Sequence, residues 1–254
     1  MDRSELAKLL GLAELEPYLQ QVDGCLVQTA SSAGEDLRGP ILRLTRSGKR
    51  LRPVLLIAAA HMAKRPSRPH VTAAAAAVEM IHQASLIHDD IIDKAVKRRG
   101  EPTINAKEGI ETALLAGDFL IAAGLQKAGV AGPEAVRILS DTIMNMSRGQ
   151  AAQDDSKTAP LFTAACQIGG LCANLRSSEI EYLTLYGENF GLAFQIIDDI
   201  RDNDRPRQAI PEAQKYIKKA INALEPFGVN QIAHGLTEIP RIYLNSSLKL
   251  GADA

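Results

Sequence analysis

Apolar residues in this chain recur three and four positions apart over long windows, alanine and leucine dominate, and β-branched alternation is scarce. That period is the helical one and leaves little room for a sheet, so the expected fold class is all-α. Helices are expected at roughly 3–29, 34–47, 53–65, 71–96, 108–129, 133–153, 159–174, 178–203, 211–224 and 229–248. Pro53 and Pro133 suit first helical turns, and Gly100 with Pro102 closes the fourth helix. The run Ala73 to Ala77 reads as a strong helix former packed closely against its neighbours.

Hydrophobic residues make up 46% of the chain and charged residues 23%, enough apolar material for one buried core, and a single domain over 1–254 is expected. Lys plus Arg is 29 against 30 for Asp plus Glu, so no overall field recruits nucleic acid or an anionic membrane, and an anionic ligand must be held locally. Cys25, Cys166 and Cys172 are odd in number and lack metal-ligand spacing, which fits buried, inert thiols in a cytoplasmic protein. The start, MDRSELAKLLGL, lacks the pattern of a signal peptide, and no window of about 18 apolar residues is expected to form a transmembrane segment.

Two acidic clusters stand out against this apolar background. In HQASLIHDDIIDKAVKRRGEPT, Asp89 and Asp93 lie four residues apart on one helical face, with His82 on the same stripe. Two carboxylates so placed repel unless a cation sits between them, and a hard divalent ion such as Mg²⁺ suits oxygen ligands. Ile87, Ile91 and Ile92 flank the acids, so the helix reads as buried, where unpaired acids are costly. Asp90 points elsewhere and either supports the pair or caps the helix. Lys97, Arg98 and Arg99 follow; they cap the helix dipole or, with cation-holding carboxylates nearby, receive an anion rich in oxygens such as a diphosphate.

About a hundred residues later the pattern returns in FGLAFQIIDDIRDND, where Gln195, Asp198, Asp199 and Asp202 share a stripe. Two such helices in one domain suggest walls facing each other across a cavity. In GKRLRP, Lys49, Arg50 and Arg52 precede a helix start, which is either an ordinary basic turn or an anion site. His82 reads as a hydrogen-bonded core histidine or as part of the stripe leading to Asp89.

Taken in order, GKRLRP, the stretch from Glu79 to Asp93, the following RRG, Gly117-Asp118, Gly149-Gln150, Lys157-Thr158 and FQIIDDIRD resemble the trans-isoprenyl diphosphate synthases, over about residues 40 to 203. The resemblance implies the isoprenoid synthase fold, a bundle of helices around a deep central cavity, and Mg²⁺ as cofactor with three ions per site. It implies that Asp89 and Asp93 bind Mg²⁺ bridging an allylic diphosphate and that Asp198, supported by Asp202, binds the remaining metal. Arg98, Lys157, Thr158 and Gln195 are implied contacts of that substrate, and Lys49, Arg52, His82 and Arg99 of isopentenyl diphosphate. Asp89, Asp93, Arg98, Lys157 and Asp198 are the catalytic set so implied. Ala84 and Ser85, one turn before Asp89, lack the bulk of an aromatic floor, which implies a medium or long product unless Ile81, Leu114 or a partner subunit closes the tunnel. A homodimer is implied too, with a partner-dependent subunit of a heteromeric synthase as the alternative.

The chain departs from the family pattern in two places. The stretch from Gln150 to Lys157 is short, and after Asp202 the chain passes from NDRPRQAIP directly into another helix. If loops are missing from the sequence as written, spatial breaks are expected near 153–157 and 202–211; a continuous backbone would instead indicate a true shortening. A terpene cyclase is disfavoured by aromatics at only 4% with no Trp, and a di-metal oxidase by the lack of Glu-x-x-His pairs.

Overall fold

A computed structural model describes residues 2–45, 48–63, 66–152, 158–202 and 204–249, with side chains described as far as Asn245. In chain order the helices are α1 (Arg3–Leu10), α2 (Leu15–Ser31), α3 (Glu35–Thr45), α4 (Leu51–Ala60), α5 (Arg68–Ile92), α6 (Ile104–Lys107), α7 (Ile110–Ala128), α8 (Pro133–Ala152), α9 (Ala159–Cys172), α10 (Ser177–Arg201), α11 (Ile210–Ala223) and α12 (Gln231–Lys249). A small hairpin, β1 (Lys97–Arg98) and β2 (Glu101–Pro102), interrupts them after α5. The all-α expectation is met.

The helix expected at 3–29 is two helices. Asp2 and Glu5 form a capping box that starts α1, and Gly11 stops it in the left-handed region at φ 60°, its N–H reaching the carbonyls of Ala7 and Lys8. The helix expected to run to 96 ends at Ile92, because Lys94 turns left-handed (φ 52°) and the chain enters the hairpin. Arg99 and Gly100 both have positive φ, 53° and 85°, the signature of the tight turn that joins two short antiparallel strands.

Helix α5 is the axis of the molecule. It packs against α2, α4, α7 and α9, and Ala73 to Ala77 are all buried, so the alanine run is there to let four neighbours approach. One hydrophobic core extends from Leu6 on α1 to Ile239 on α12, and a smaller cluster at Ile196, Ile197, Ile217 and Leu244 joins α10, α11 and α12. Helix α10 lies backbone to backbone on α9: a Cβ added at Gly187 would fall 2.7 Å from the Phe162 carbonyl oxygen and 2.9 Å from Thr163 Cα. Cys166 and Cys172 are buried and unbridged, with burial pushing the Cys172 thiol up to about 11; Cys25 is only half-buried.

One further expectation is revised. Ile110–Ala131, α7 with the turn after it, is long and apolar enough to cross a membrane by length and composition, against the expectation that no such window exists. Its apolar residues are divided between α5 and an exposed face at Ile110, Leu114 and Leu115. Of the two stretches where the family pattern is shortened, 202–211 is described except for residue 203. The Asp202 amide donates to the Asp198 carbonyl, and the Asp204 and Arg205 amides donate to that of Asp199, so the chain folds back on the end of α10 before α11 begins. Residues 153–157, where the other break was expected, lie outside the described residues.

Gly187→Val forces a side chain into the α9 backbone and is expected to cost about 1–3 kcal/mol, read as a lower urea midpoint; an unchanged midpoint would mean the two helices are not in backbone contact.

Candidate active site

The last turns of α5 carry His82, Ser85, Leu86, Asp89 and Ile92 along one face, and this face lines a cavity of about 460 Å³. The polar groups of the lining are Arg52 from the start of α4, His82, Ser85, His88 and Asp89 from α5, Ser147 and Gln150 from α8 and Thr158 before α9. Ile81, Ile121, Ile143, Met146 and Leu161 make the rest apolar. Of the two small residues expected to floor a tunnel, Ser85 lines the cavity, its Oγ donating to the His82 carbonyl at 2.8 Å. Ala84 does not line it: it is fully buried in the core, because it sits about a hundred degrees around the helix from Ser85. Leu114 is 48% exposed and closes nothing.

A cluster of cations stands over this face. Arg52 Nη1 lies 3.1 Å from His82 Nε2, its guanidinium stacks 4.4 Å above the Phe162 ring, and its Nε has no hydrogen-bond partner among the described residues. Burial pulls the Arg52 guanidinium down to about 10, against the pull of Glu79 and Asp198. Burial, then the charges of Arg52, Arg99, Arg98 and Arg50, hold the His82 imidazole well below its ordinary 6.5, so it is neutral at pH 7. A Cβ added at Gly48 would meet Arg50 Nη1 at 3.1 Å and Arg99 Nη1 at 3.5 Å, which shows how closely the hairpin arginine approaches the GKRLRP segment. Lys49 is exposed beside it.

Arg50 holds that segment in place. It has a left-handed backbone (φ 55°) at the start of α4, is 4% exposed, and donates to Asp23 Oδ1 and Glu79 Oε1, each at 2.9 Å, and to the Thr45 carbonyl. Desolvation raises the pKa of buried Glu79, and the Arg50 and Arg52 charges oppose the rise. Neither Arg50 nor Glu79 was singled out for this in the sequence, although a lone acid in an alanine-rich helix, one turn before His82, is such a signal.

The acids occupy both sides. Asp93 is exposed and caps α5, its N–H donating to the Asp89 carbonyl at 2.8 Å. Asp90 is buried and accepts from Arg98 Nε and Nη2, each at 2.9 Å, so Asp90 supports the hairpin and Arg98 is turned toward it. On α10, Gln195 is buried, its Oε1 lacking a hydrogen-bond partner among the described residues. Burial raises the Asp198 carboxyl pKa, while a hydrogen bond from Tyr243 and the charge of Arg201 oppose the rise. Asp202 is exposed and pairs with Arg201 Nε at 3.2 Å. Asp198 and Arg52 are close enough for each charge to act on the other, which brings the second acidic cluster to the cations beside the first. Lys157 lies outside the described residues. Gly117 is explained by His88: a Cβ there would lie 2.1 Å from the imidazole Nε2, which sits 3.6 Å from Asp118.

The donor set can be tested for fit to a metal. Among the described residues no three His, Cys, Asp or Glu side chains converge on one point, so neither cluster could encage an ion alone. Pairs of carboxylates four residues apart fit Mg²⁺, which retains waters and takes substrate phosphate oxygens alongside one or two protein carboxylates.

The bundle is all-helical, with carboxylates on α5 and α10 and the buried Arg52 feeling Asp198 and touching His82. The Polyprenyl synthetase family model matches residues 35–156 and 154–211, and the chain belongs to this family. It is 39% identical over 218 residues to nonaprenyl diphosphate synthase of Mycobacterium tuberculosis, covering 79% of this chain and 65% of that one. It is 38% identical over 179 residues to heptaprenyl diphosphate synthase component 2 of Geobacillus stearothermophilus, covering 63% and 55%. Thus the chain spans roughly half to two thirds of the length of these curated relatives. Among solved structures, a polyprenyl synthase of Caulobacter crescentus in complex with calcium and isoprenyl diphosphate superposes with TM-score 0.82 at 26% identity, over 94% of this chain and 97% of that one. A heptaprenyl diphosphate synthase of Staphylococcus aureus shares the fold with TM-score 0.82 at 23% identity, over 91% and 98%.

The neutral His82 predicts a pH dependence with a definite sign. The unfolded chain takes up its proton near pH 6.5 and the folded chain only well below, so the stability this group contributes is complete above pH 6.5 and lost as pH falls. The urea midpoint of His82→Gln should therefore fall less between pH 7 and pH 5 than that of the parent; equal losses would show that His82 titrates normally.

Proposed function

We propose that the protein is a trans-polyprenyl diphosphate synthase, joining isopentenyl diphosphate head to tail to an allylic diphosphate in a Mg²⁺-dependent reaction. The observation that carries this is Arg52, which lines the same apolar cavity as His82 and Asp89 of α5, lies 3.1 Å from His82 and feels the charge of Asp198 on the second acidic helix, α10. Asp89 and Asp93 on one side, and Asp198 with Asp202 on the other, are the residues to hold three Mg²⁺ ions, whose charge would stabilise a departing diphosphate. The calcium and isoprenyl diphosphate bound by the Caulobacter crescentus relative support this reading.

Arg98, Lys157, Thr158 and Gln195 contact the allylic diphosphate in this account, and Lys49, Arg52, His82 and Arg99 the diphosphate of isopentenyl diphosphate. Neutral His82 then serves as a hydrogen-bonding group and keeps Arg52 oriented; its low basicity makes it no proton acceptor at pH 7. The unpartnered Arg52 Nε and Gln195 Oε1 are buried polar atoms for which bound substrate, or its water, would supply partners. Heterolysis leaves an allylic cation, the isopentenyl double bond attacks it, and the proton lost as the new double bond forms goes to the released diphosphate. The chain's own residues position both substrates and exclude water.

The growing tail runs down the apolar cavity past Ser85, with Ile81 beneath, which favours a medium or long all-trans product over a short one. The names of the relatives, nonaprenyl and heptaprenyl diphosphate synthase, agree with that length class. The exposed apolar face of α7, Ile110 at 63%, Leu114 at 48% and Leu115 at 56%, is the surface on which a second copy would pack to form a homodimer. The free, deeply buried Cys166 and Cys172 fit a reducing cytoplasmic setting.

The test is incubation with Mg²⁺, labelled isopentenyl diphosphate and a panel of allylic diphosphates, with products separated by length. Extended products are expected, reduced about a hundredfold or more by Asp89→Ala and shortened by Ser85→Phe. No incorporation with any primer would contradict the proposal and point to a subunit needing a partner chain.

A further inference from the structure

The two acidic motifs are the same in outline and differ at one position. Three residues after the first aspartate, the α5 motif has Ile92 and the α10 motif has Arg201. Arg201 closes on its own motif: Nη1 lies 2.9 Å from Asp198 Oδ1 and Nε 3.2 Å from Asp202 Oδ1, so one guanidinium spans both carboxylates. The Tyr243 hydroxyl of α12, whose ring stacks 4.5 Å from Phe194, donates to the same Asp198 oxygen. Position 92 of the first motif is an uncharged isoleucine, and Arg98, the arginine that follows it, pairs with Asp90.

We infer that Arg201 is a built-in counter-cation of the second motif, which a metal ion must displace from Asp198 and Asp202, so that the α10 motif loads only in competition with Arg201. The inference rests on the metal roles proposed above for these aspartates. A guanidinium and a hard divalent ion use the same carboxylate oxygens, so one excludes the other from Asp198 Oδ1. Arg201 is well suited to leave, because it is the last residue of α10 and its side chain is 42% exposed. Swinging into water removes it without moving the helix. Tyr243 adds a smaller hold on the same oxygen and ties it to α12.

The test is Mn²⁺ binding followed by electron paramagnetic resonance on the full chain carrying Asp89→Asn and Asp93→Asn, which leaves only the second motif. Adding Arg201→Gln should tighten Mn²⁺ roughly threefold to tenfold, the range for loss of one or two partly exposed ion pairs. Arg201→Lys, which keeps the charge and loses the fork, should fall between, and Tyr243→Phe should give a smaller tightening. Circular dichroism of each variant checks that the helices persist. Mn²⁺ affinity unchanged or weakened in Arg201→Gln would overturn the inference while leaving the proposed function standing. Absence of Mn²⁺ binding in the parent chain and in every variant would overturn both.

Discussion

Carboxylates spaced along one face of a helix repel one another, and burial makes each charge more costly. The arrangement holds only if cations stand between them. Arg52 is the most telling of these: it is buried enough to be pulled down to about 10, yet it touches His82, stacks on Phe162 and feels Asp198. Among the described residues its Nε finds no hydrogen-bond partner, and in the proposed function the anionic substrate supplies that acceptor. Burial first, and then the charge of Arg52 with those of Arg99, Arg98 and Arg50, keeps His82 neutral, while Arg52 also acts on Asp198 of α10.

The fold supplies what this needs in rigid parts. The alanine run makes α5 thin enough to be surrounded by four helices, which fixes the stripe from His82 to Asp89. Arg50 ties the GKRLRP segment to α5 through Glu79 and to α2 through Asp23, so the segment that carries Arg52 is braced from two sides. Removing one partner of such a buried pair would leave an unpaired charge inside the protein, which is why Arg50 and Glu79 are best understood together. On the far wall, glycines of α10 let it lie directly on α9, which carries Phe162 under Arg52.

Most of the helices were readable from period alone, since an amphipathic stripe needs only local information. What was missed depends on single backbone conformations or on distant partners. Gly11 and Lys94 end helices by turning left-handed, and the hairpin at 97–102 rests on a two-residue turn too short for any periodic signal. In the site, the acids, His82 and the basic segments were readable because spacing of three and four places them on one face. The division of labour was not: Arg98 faces Asp90, Ala84 faces the core, and Tyr243 reaches Asp198 from 45 residues away. Such pairings are tertiary facts, which spacing along one helix does not encode.

The central claim is that α5 and α10 hold metal and diphosphate between them in one cleft. Anomalous diffraction from crystals grown with Mn²⁺ and inorganic pyrophosphate tests this directly. The account predicts Mn²⁺ peaks beside Asp89 and Asp93 and beside Asp198, all bridged by one pyrophosphate. Mn²⁺ or pyrophosphate bound away from these aspartates, or carboxylates of only one helix engaged, would contradict it.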